Sequence, residues 1–330
     1  MRVGTLIRGT TIDEIVENVA GYRRSGYTSA WLTDGVGMEP LTTLAAVGRA
    51  VPEIELGTAV VRTHPRHPMA MAQHALTVNA LVGGRLTLGI GPSHQPSVQG
   101  TWGLSFERPI RHLREYLSVL GPLVTEGSVS FDGETVSAHG QVLVEGGSPV
   151  PVLLGALGPQ MLQLAGRLAD GAITFMTGPR TLVDLTCPTI HEAAERAARA
   201  TPRIVALLAF CVTEDVEASR ARAEQVAGPM ALLPSYAAAL RREGGPALIT
   251  GTENEVADQV RALELAGVTD LVPIPVARRG SKDHERTSAL LSELLGRQPQ
   301  TLRAGAPVDG VDEQPEPAVV EAVEAEGDSR

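Results

Sequence analysis

Short apolar runs that stop abruptly in glycine, proline or polar residues recur along this chain of 330 residues, and each is followed by a segment with helical spacing. Val3 to Ile7 is the first, followed by a helix around Ile12 to Arg24 whose Ile12, Ile15, Val16 and Val19 share one face, with Thr11 as its N-cap. Strand Ala30 to Thr33 precedes helix Leu41 to Ala50, strand Ile54 to Val61 precedes helix Met69 to Leu81, and strand Arg85 to Ile90 precedes a helix from Ile110 to Thr125 interrupted at Gly121-Pro122. Strands at Pro151 to Leu154, Ala172 to Met176, Ile204 to Val212 and Leu271 to Pro275 bring the count to eight. Helices near Gln160 to Leu168, Leu182 to Arg199, Val216 to Val226 and Glu253 to Ala266 separate them. Strict alternation of this kind predicts a parallel sheet, and eight strands of it predict an α/β fold closed as a (β/α)8 TIM barrel.

Two segments break the alternation. Val129 to Val144 switches to period two around Asp132-Gly133, which predicts a small inserted β-hairpin. Residues 229 to 250 read as an extra helical segment, whose apolar spacing favours core packing for Tyr236 over pocket lining. From Pro299 onward the chain is Pro, Ala, Gly, Glu and Asp without aromatic residues, too polar to offset the entropy of ordering. The barrel is therefore expected over residues 1–298 and a disordered acidic tail over 299–330.

Charge excludes one class of partner. The formal net charge is −10, but Ala304 to Arg330 holds eight acidic residues against one arginine, so the folded body is nearly balanced. Nucleic acid is not an expected partner, because phosphate binding needs a concentrated basic surface. The longest apolar run, Ile204 to Val212, is too short to cross a bilayer, so no membrane association is expected. Asp13 and Glu14 follow a brief apolar strand without a signal-like hydrophobic stretch, and a cytoplasmic enzyme is expected. Cys187 and Cys211 are far apart with no C-x-x-C spacing, which predicts buried apolar residues and neither a disulfide nor a zinc site. His64, His67 and His94 have only Asp34 as a good carboxylate companion at a strand end, and no metal site is expected.

Chemistry concentrates at strand ends. In Gly84 to His94, Leu86, Leu88 and Ile90 form an apolar strand, Gly91 and Pro92 end it, and His94 follows just past its carboxyl end, where barrel enzymes keep their reacting groups. Gly155-Ala156-Leu157-Gly158-Pro159 follows a strand and opens a helix, so its backbone amides make an anion site in principle, although a proline in a first helical turn is also common.

Trp31-Leu32-Thr33-Asp34, Gly57-Thr58-Ala59-Val60, the Pro68-to-Gln73 helix, Arg85 to His94, Gly155 to Met161 and Leu164 to Gly171 together resemble the luciferase-like monooxygenase superfamily, in its branch of oxidoreductases dependent on the deazaflavin coenzyme F420. The resemblance covers roughly residues 1 to 295. It implies hydride transfer between C5 of coenzyme F420 and a small organic substrate, and a homodimer. It implies a non-proline cis peptide at Ala59-Val60 against the ring, with Thr58 beside it. Asp34 would contact the polar edge of the ring and, with His94, take part in catalysis, while Gly155, Ala156, Gly158, Pro159 and Gln160 would anchor the phosphate. The inserted hairpin would help cover the substrate pocket. Gly35 stands where relatives carry a histidine, and His94 where sugar-phosphate dehydrogenases of the family carry a glutamate; an imidazole there can still deliver or accept a proton. Two alternatives stay open: a monooxygenase using reduced FMN and oxygen, and a non-catalytic flavin-barrel binding protein.

Overall fold

The computed structural model describes residues 1–297, so the expected tail lies outside them. The strands are β1 (Arg2–Leu6), β2 (Ser29–Leu32), β3 (Glu55–Thr58), β4 (Val61–Arg62), β5 (Leu86–Gly91), β6 (Ser128–Asp132), β7 (Ser137–Gln141), β8 (Val152–Gly155), β9 (Gly171–Phe175), β10 (Arg203–Val212), β11 (Leu248–Gly251) and β12 (Asp270–Pro275). Parallel pairing runs β1-β2-β3-β5-β8-β9-β10-β12 and returns to β1, closing the expected barrel. The ring of helices is α1 (Ile12–Arg24), α2 (Pro40–Ala50), α3 (Pro68–Leu81), α4 (Pro109–Thr125), α5 (Pro159–Leu168), the single turn α6 (Pro179–Thr181), α7 (Cys187–Arg196), α8 (Val216–Ala227), α9 (Pro234–Glu243), α10 (Glu253–Ala266) and α11 (Lys282–Gly296). Among the described residues no helix is long and apolar enough to cross a membrane.

Both faces of each barrel strand are covered, which is why β10 reads as an unbroken apolar run. Its Val205 and Leu207 join Trp31, Leu153, Ile173, Val272 and Ile274 inside the barrel, while Ile204, Ala206, Leu208 and Phe210 pack in the larger core under the helices. Trp31 fills the middle of the interior because Gly57 leaves it room: a Cβ there would lie 2.2 Å from the indole.

Four expectations need correction or addition. The third strand, read as continuous from Ile54 to Val61, is split into β3 and β4 by a bulge at Ala59 and Val60. Residues 229 to 250 are not helical throughout: after a 3-10 turn and α9, Leu248 to Gly251 form β11, which pairs with the part of β10 from Ala209 to Val212. The pairing, and not local propensity, decides this segment, since β10 outruns the barrel and leaves a strand edge to be covered. The helix read over Leu182 to Arg199 begins with a π-helical turn at Leu182–Thr186 and reaches only Arg196. α11 completes the ring, with the Ser281 hydroxyl capping its first turn. The hairpin β6–β7 docks on α4, whose Glu115 carboxylate accepts from the Thr135 amide at 2.7 Å, the Thr135 hydroxyl at 2.6 Å and the Val136 amide at 3.2 Å.

The amino end of the barrel is closed by a buried ion network. Asp270, fully buried, receives Arg203 through Nε at 3.0 Å and Nη2 at 2.7 Å, and Arg2 at 2.8 Å. Glu55 pairs with Arg2 at 2.7 Å, with Arg203, and with the Thr87 hydroxyl at 2.6 Å. Burial opposes the charge on Arg203, but hydrogen bonds and charge from Asp270 and Glu55 outweigh it and leave the guanidinium more firmly protonated than usual. The guanidinium also sits 5.2 Å over the Trp31 ring, joining the ion layer to the apolar layer above. Replacing Asp270 by Leu leaves the largely buried Arg203 with Glu55 as its only carboxylate partner, and urea unfolding should show a loss of about 3–5 kcal/mol. Pairing that change with Arg203→Met should recover part of the loss; equal instability of the single and double variants would contradict the network.

Candidate active site

The carboxyl ends of the strands form the opposite mouth, and the chain there departs from regular backbone at several points. The Ala59-Val60 peptide is cis, at the position the sequence motif indicated. Across this bulge the ladder between β3 and β5 is broken, and the Thr58 side chain replaces it: its hydroxyl donates to the Gly89 carbonyl at 2.8 Å and accepts from the Gly89 amide at 2.9 Å. Thr58 is fully buried and its hydroxyl is spent on the barrel wall, so its part in the site is to hold the bulge in place. Gly89 is the matching requirement, because a Cβ there would lie 2.0 Å from the Thr58 carbonyl oxygen. Ser93 adopts a left-handed conformation, φ +64°, and Met176 at the end of β9 another, φ +53°. Such residues are uncommon outside glycine and gather where a chain must re-aim a side chain at a site.

The turn at Ser93 brings the half-buried His94 ring against Tyr236 of α9, with centroids 5.3 Å apart. Burial lowers the His94 pKa below the ordinary histidine value, so the imidazole is neutral at pH 7. No hydrogen bond within the described residues fixes its ring nitrogens. Asp34 is placed differently. Its carboxylate is held by Arg62 of β4, through Nε at 3.1 Å, Nη2 at 2.7 Å and the backbone amide at 3.1 Å, and Arg62 also donates to the Gly35 carbonyl at 2.8 Å. The guanidinium lies 5.3 Å over the half-exposed Trp102 ring.

At the end of β8, Gly158 is the N-cap of α5 and no side chain caps the helix. Pro159 has no amide proton, so the amides of Gln160 and Met161 are left facing outward from a helix start. Ala156 is less available, since its amide already donates to the Ile173 carbonyl at 3.1 Å. The neighbouring helix start, after β9, is filled: the Glu243 carboxylate accepts from the Arg180 amide at 3.1 Å and the Thr181 amide at 2.8 Å. Of these two adjacent helix starts only the one at α5 is left without a side-chain cap.

The three histidines flagged in the sequence go to separate places. His67 caps α3, its Nδ1 accepting from the Met69 amide at 3.3 Å, and its Nε2 lies 3.2 Å from the Ser137 carbonyl of the hairpin. His64 stacks between Phe106 at 5.1 Å and His112 at 4.3 Å, and His112 Nε2 lies 3.1 Å from the Thr63 hydroxyl. Sequence reasoning missed Arg62, Phe175, Glu243 and His112. Arg62 alone carried a signal, being a basic residue two positions past the Val60 bulge. Tyr236, assigned to core packing, touches both His94 and Phe175, the latter edge-on at 5.9 Å.

Burial, then the charge of His64, push the His112 pKa down to about 4, against a smaller opposing effect of Glu115. The folded state therefore binds fewer protons than the unfolded one, and this contribution to stability is complete above about pH 6.5 and is lost as pH falls towards 4. His112→Phe, which keeps the stack, should flatten the acid limb of a melting-temperature profile between those values. An unchanged slope would place the acid sensitivity elsewhere.

The model of the luciferase-like monooxygenase family matches residues 2–270, and the chain belongs to that family. It is similar to the 5,10-methylenetetrahydromethanopterin reductase of Methanolobus tindarius, 27% identical over 290 residues that cover 86% of this chain and 87% of the relative. It is also similar to the F420-dependent glucose-6-phosphate dehydrogenase of Nakamurella multipartita, 32% identical over 205 residues, 60% of each chain. Among solved structures, the coenzyme F420 dependent tetrahydromethanopterin reductase of Methanopyrus kandleri superposes with a TM-score of 0.68 at 22% identity, covering 89% of this chain and 97% of that one. That likeness supports the barrel fold.

Proposed function

We propose that this protein is an F420-dependent oxidoreductase that moves a hydride between C5 of the deazaflavin and a small organic substrate. When bound, the cofactor supplies the hydride-carrying carbon; the protein supplies position, a dry mouth and a proton. The observation that carries the reading is the open start of α5 on the same barrel end as the unbonded, neutral His94. A relative named as an F420-dependent glucose-6-phosphate dehydrogenase, similar over 60% of this chain, points the same way.

In this reading Gly158, Gln160 and Met161 hold the cofactor phosphate through backbone amides. Gly155 and Ala156 lead the chain to that turn, and Pro159 pre-sets the first helical dihedral. Ala59 and Val60 form the apolar wall behind the ring. Asp34 acts through Arg62, fixing a guanidinium at the polar edge of the mouth. His94 is the catalytic acid or base: as a neutral imidazole it accepts the proton released when an alcohol is oxidised, and once protonated it returns one to the reduced product. Both directions are open to it. An FMN monooxygenase is the competing reading, and cofactor binding separates the two.

Titration by fluorescence quenching should show saturable binding of coenzyme F420 and little response to FMN; tight FMN binding without F420 binding would transfer the protein to the monooxygenase reading. Gly158→Asp is a sharper probe, because an added Cβ there meets nothing within 4 Å and the backbone φ of −94° suits any residue. The new carboxylate would cap α5, stabilising the protein by about 0.5–1 kcal/mol while repelling phosphate. F420 affinity should fall at least about tenfold, the effect of roughly 1.4 kcal/mol. Unchanged affinity would remove the phosphate from this site. His94→Ala should leave F420 affinity nearly unchanged and reduce turnover by about 10²–10⁴-fold, the usual contribution of a general acid or base.

A further inference from the structure

Of the four tyrosines in the chain, Tyr22 of α1 packs edge-on against Tyr27, and Tyr116 of α4 is fully buried with its hydroxyl unpartnered. Tyr236, the third residue of α9, is the one that meets His94: the two ring centroids are 5.3 Å apart and the rings are inclined by 53°. Apolar neighbours fix the rest of the Tyr236 ring. Phe175, at the end of β9, meets it edge-on at 5.9 Å, and Met176, Ala227 and Ala247 form the small cluster on which it rests with Leu240. α9 is anchored at its far end, where the Glu243 carboxylate accepts from the Arg180 and Thr181 amides. Gly178 leaves room for that anchor, since a Cβ there would lie 2.2 Å from the Glu243 carboxyl carbon. The Tyr236 hydroxyl is the exception. No hydrogen bond among the described residues uses it, and unlike the Tyr116 hydroxyl it is not sealed inside the fold. A ring clamped by apolar groups with an unspent polar tip is the form a tyrosine takes where its tip meets a polar partner.

The chemistry of that tip follows from its surroundings. Desolvation pushes the Tyr236 pKa up to about 12, so the phenol keeps its proton and acts as a hydrogen-bond donor throughout the neutral range. Its neighbour His94 is uncharged at pH 7 through the same cause, and a neutral imidazole offers one donor and one acceptor. The pair therefore carries no charge with which to hold an anion. It matches a neutral oxygen instead. A carbonyl oxygen, with two lone pairs, can accept from both rings, while a hydroxyl oxygen can accept from Tyr236 and donate its own proton to the bare nitrogen of His94.

We propose that Tyr236 is a second catalytic residue, whose hydroxyl donates a hydrogen bond to the same substrate oxygen that His94 serves. The substrate class is accordingly a neutral alcohol or carbonyl compound, and not one whose reacting carbon bears no oxygen. Tyr236 keeps its own proton and holds the oxygen, while the proton that His94 takes or gives is the substrate's. A donor fixed in place before the reaction stabilises the negative charge that gathers on such an oxygen. The assignment rests on the proposed function only in taking the mouth beside His94 as the place of reaction.

The test uses the full chain labelled with carbon-13 at tyrosine Cζ, the carbon that bears the hydroxyl. Butan-2-one is the probe and its carbon isostere 2-methylbut-1-ene the control, with F420 titrated separately on every variant. The signal that disappears in Tyr236→Phe is that of Tyr236. The ketone should shift this signal saturably and leave the other tyrosines in place, and the alkene, which has the same shape without an acceptor, should not. Tyr236→Phe, which keeps the ring and its packing, should bind the ketone about three- to tenfold more weakly, the loss of one neutral hydrogen bond, with F420 affinity within about twofold. Because both groups address one oxygen, the losses in Tyr236→Phe and His94→Ala should not multiply in the double variant. No shift with the ketone, equal shifts with ketone and alkene, unchanged ketone affinity in Tyr236→Phe, or losses that multiply in the double variant each overturn the proposal, even where F420 binds normally. Failure of F420 binding with the ketone effects intact overturns the cofactor reading and leaves the assignment of Tyr236 standing. Should Tyr236→Phe fail to fold, the contrast between ketone and alkene in the wild-type protein decides alone.

Discussion

The interior of this barrel depends on one buried charge arrangement, the pairing of Arg203 with Asp270 and Glu55 at its amino end. Strands β3, β10 and β12 each contribute one member from their first inward position, and Arg2 of β1 joins them, so four strands are pinned in register by ion pairs whose partners lie far apart in the chain. Dehydrating four charges is costly, and the arrangement holds because two cations face two anions and Thr87 and Thr269 satisfy the remaining lone pairs. Above it Trp31 and the aliphatic side chains of β8, β9, β10 and β12 fill the middle, and above them Leu6, Ala59, Val60 and Phe175 form an apolar floor for the mouth. Polarity thus runs from a closed ionic base, through a dry centre, to a site where polar groups are few and individually placed.

That gradient explains the behaviour of the site. Partial burial lowers the His94 pKa, and the charge pair of Asp34 with Arg62 is neutral overall. The break in the β3–β5 ladder is the structural device that makes the floor. Where two backbone hydrogen bonds are missing, a single threonine hydroxyl supplies one donor and one acceptor to Gly89, and the chain is free to push Ala59 and Val60 inward. A motif that reads as cofactor contact therefore divides its labour, with Thr58 on the wall and Ala59 and Val60 on the face.

The eight barrel strands were legible because strands covered on both faces write themselves as unbroken apolar runs with abrupt stops. β11 was not, since Ala247, Leu248 and Ile249 extend a helical apolar pattern and only the exposed upper edge of β10 makes them a strand. The open helix start at α5 was legible from glycine and proline placement, whereas the cis bulge at Val60 was implied only by the resemblance to the family. The ion network was invisible, because Glu55 and Arg203 are separated by 148 positions and nothing local marks either as paired. Tyr236 was read as a core residue for the same reason: its spacing along α9 is ordinary, and its contact with His94 exists only after β5 and α9 have been brought to the same barrel end.

The two helix starts on adjacent strands show how far the site constrains its ligand. Both present first-turn amides to the mouth, and an anion entering without further selection would meet either. Glu243 removes one of them, and in doing so ties the end of α9 to the turn after β9. The same carboxylate therefore leaves the start of α5 as the uncapped one of the two and holds down the helix that carries Tyr236. Under the proposed F420 reading, an anionic tail at α5 and a ring over Ala59 and Val60 would lie on the same barrel end as His94 and Tyr236, which packs against His94 and Phe175. In that reading the helix starts and the contacts of Tyr236 are set by the fold before any ligand arrives, the kind of preorganisation by which an enzyme positions reacting groups.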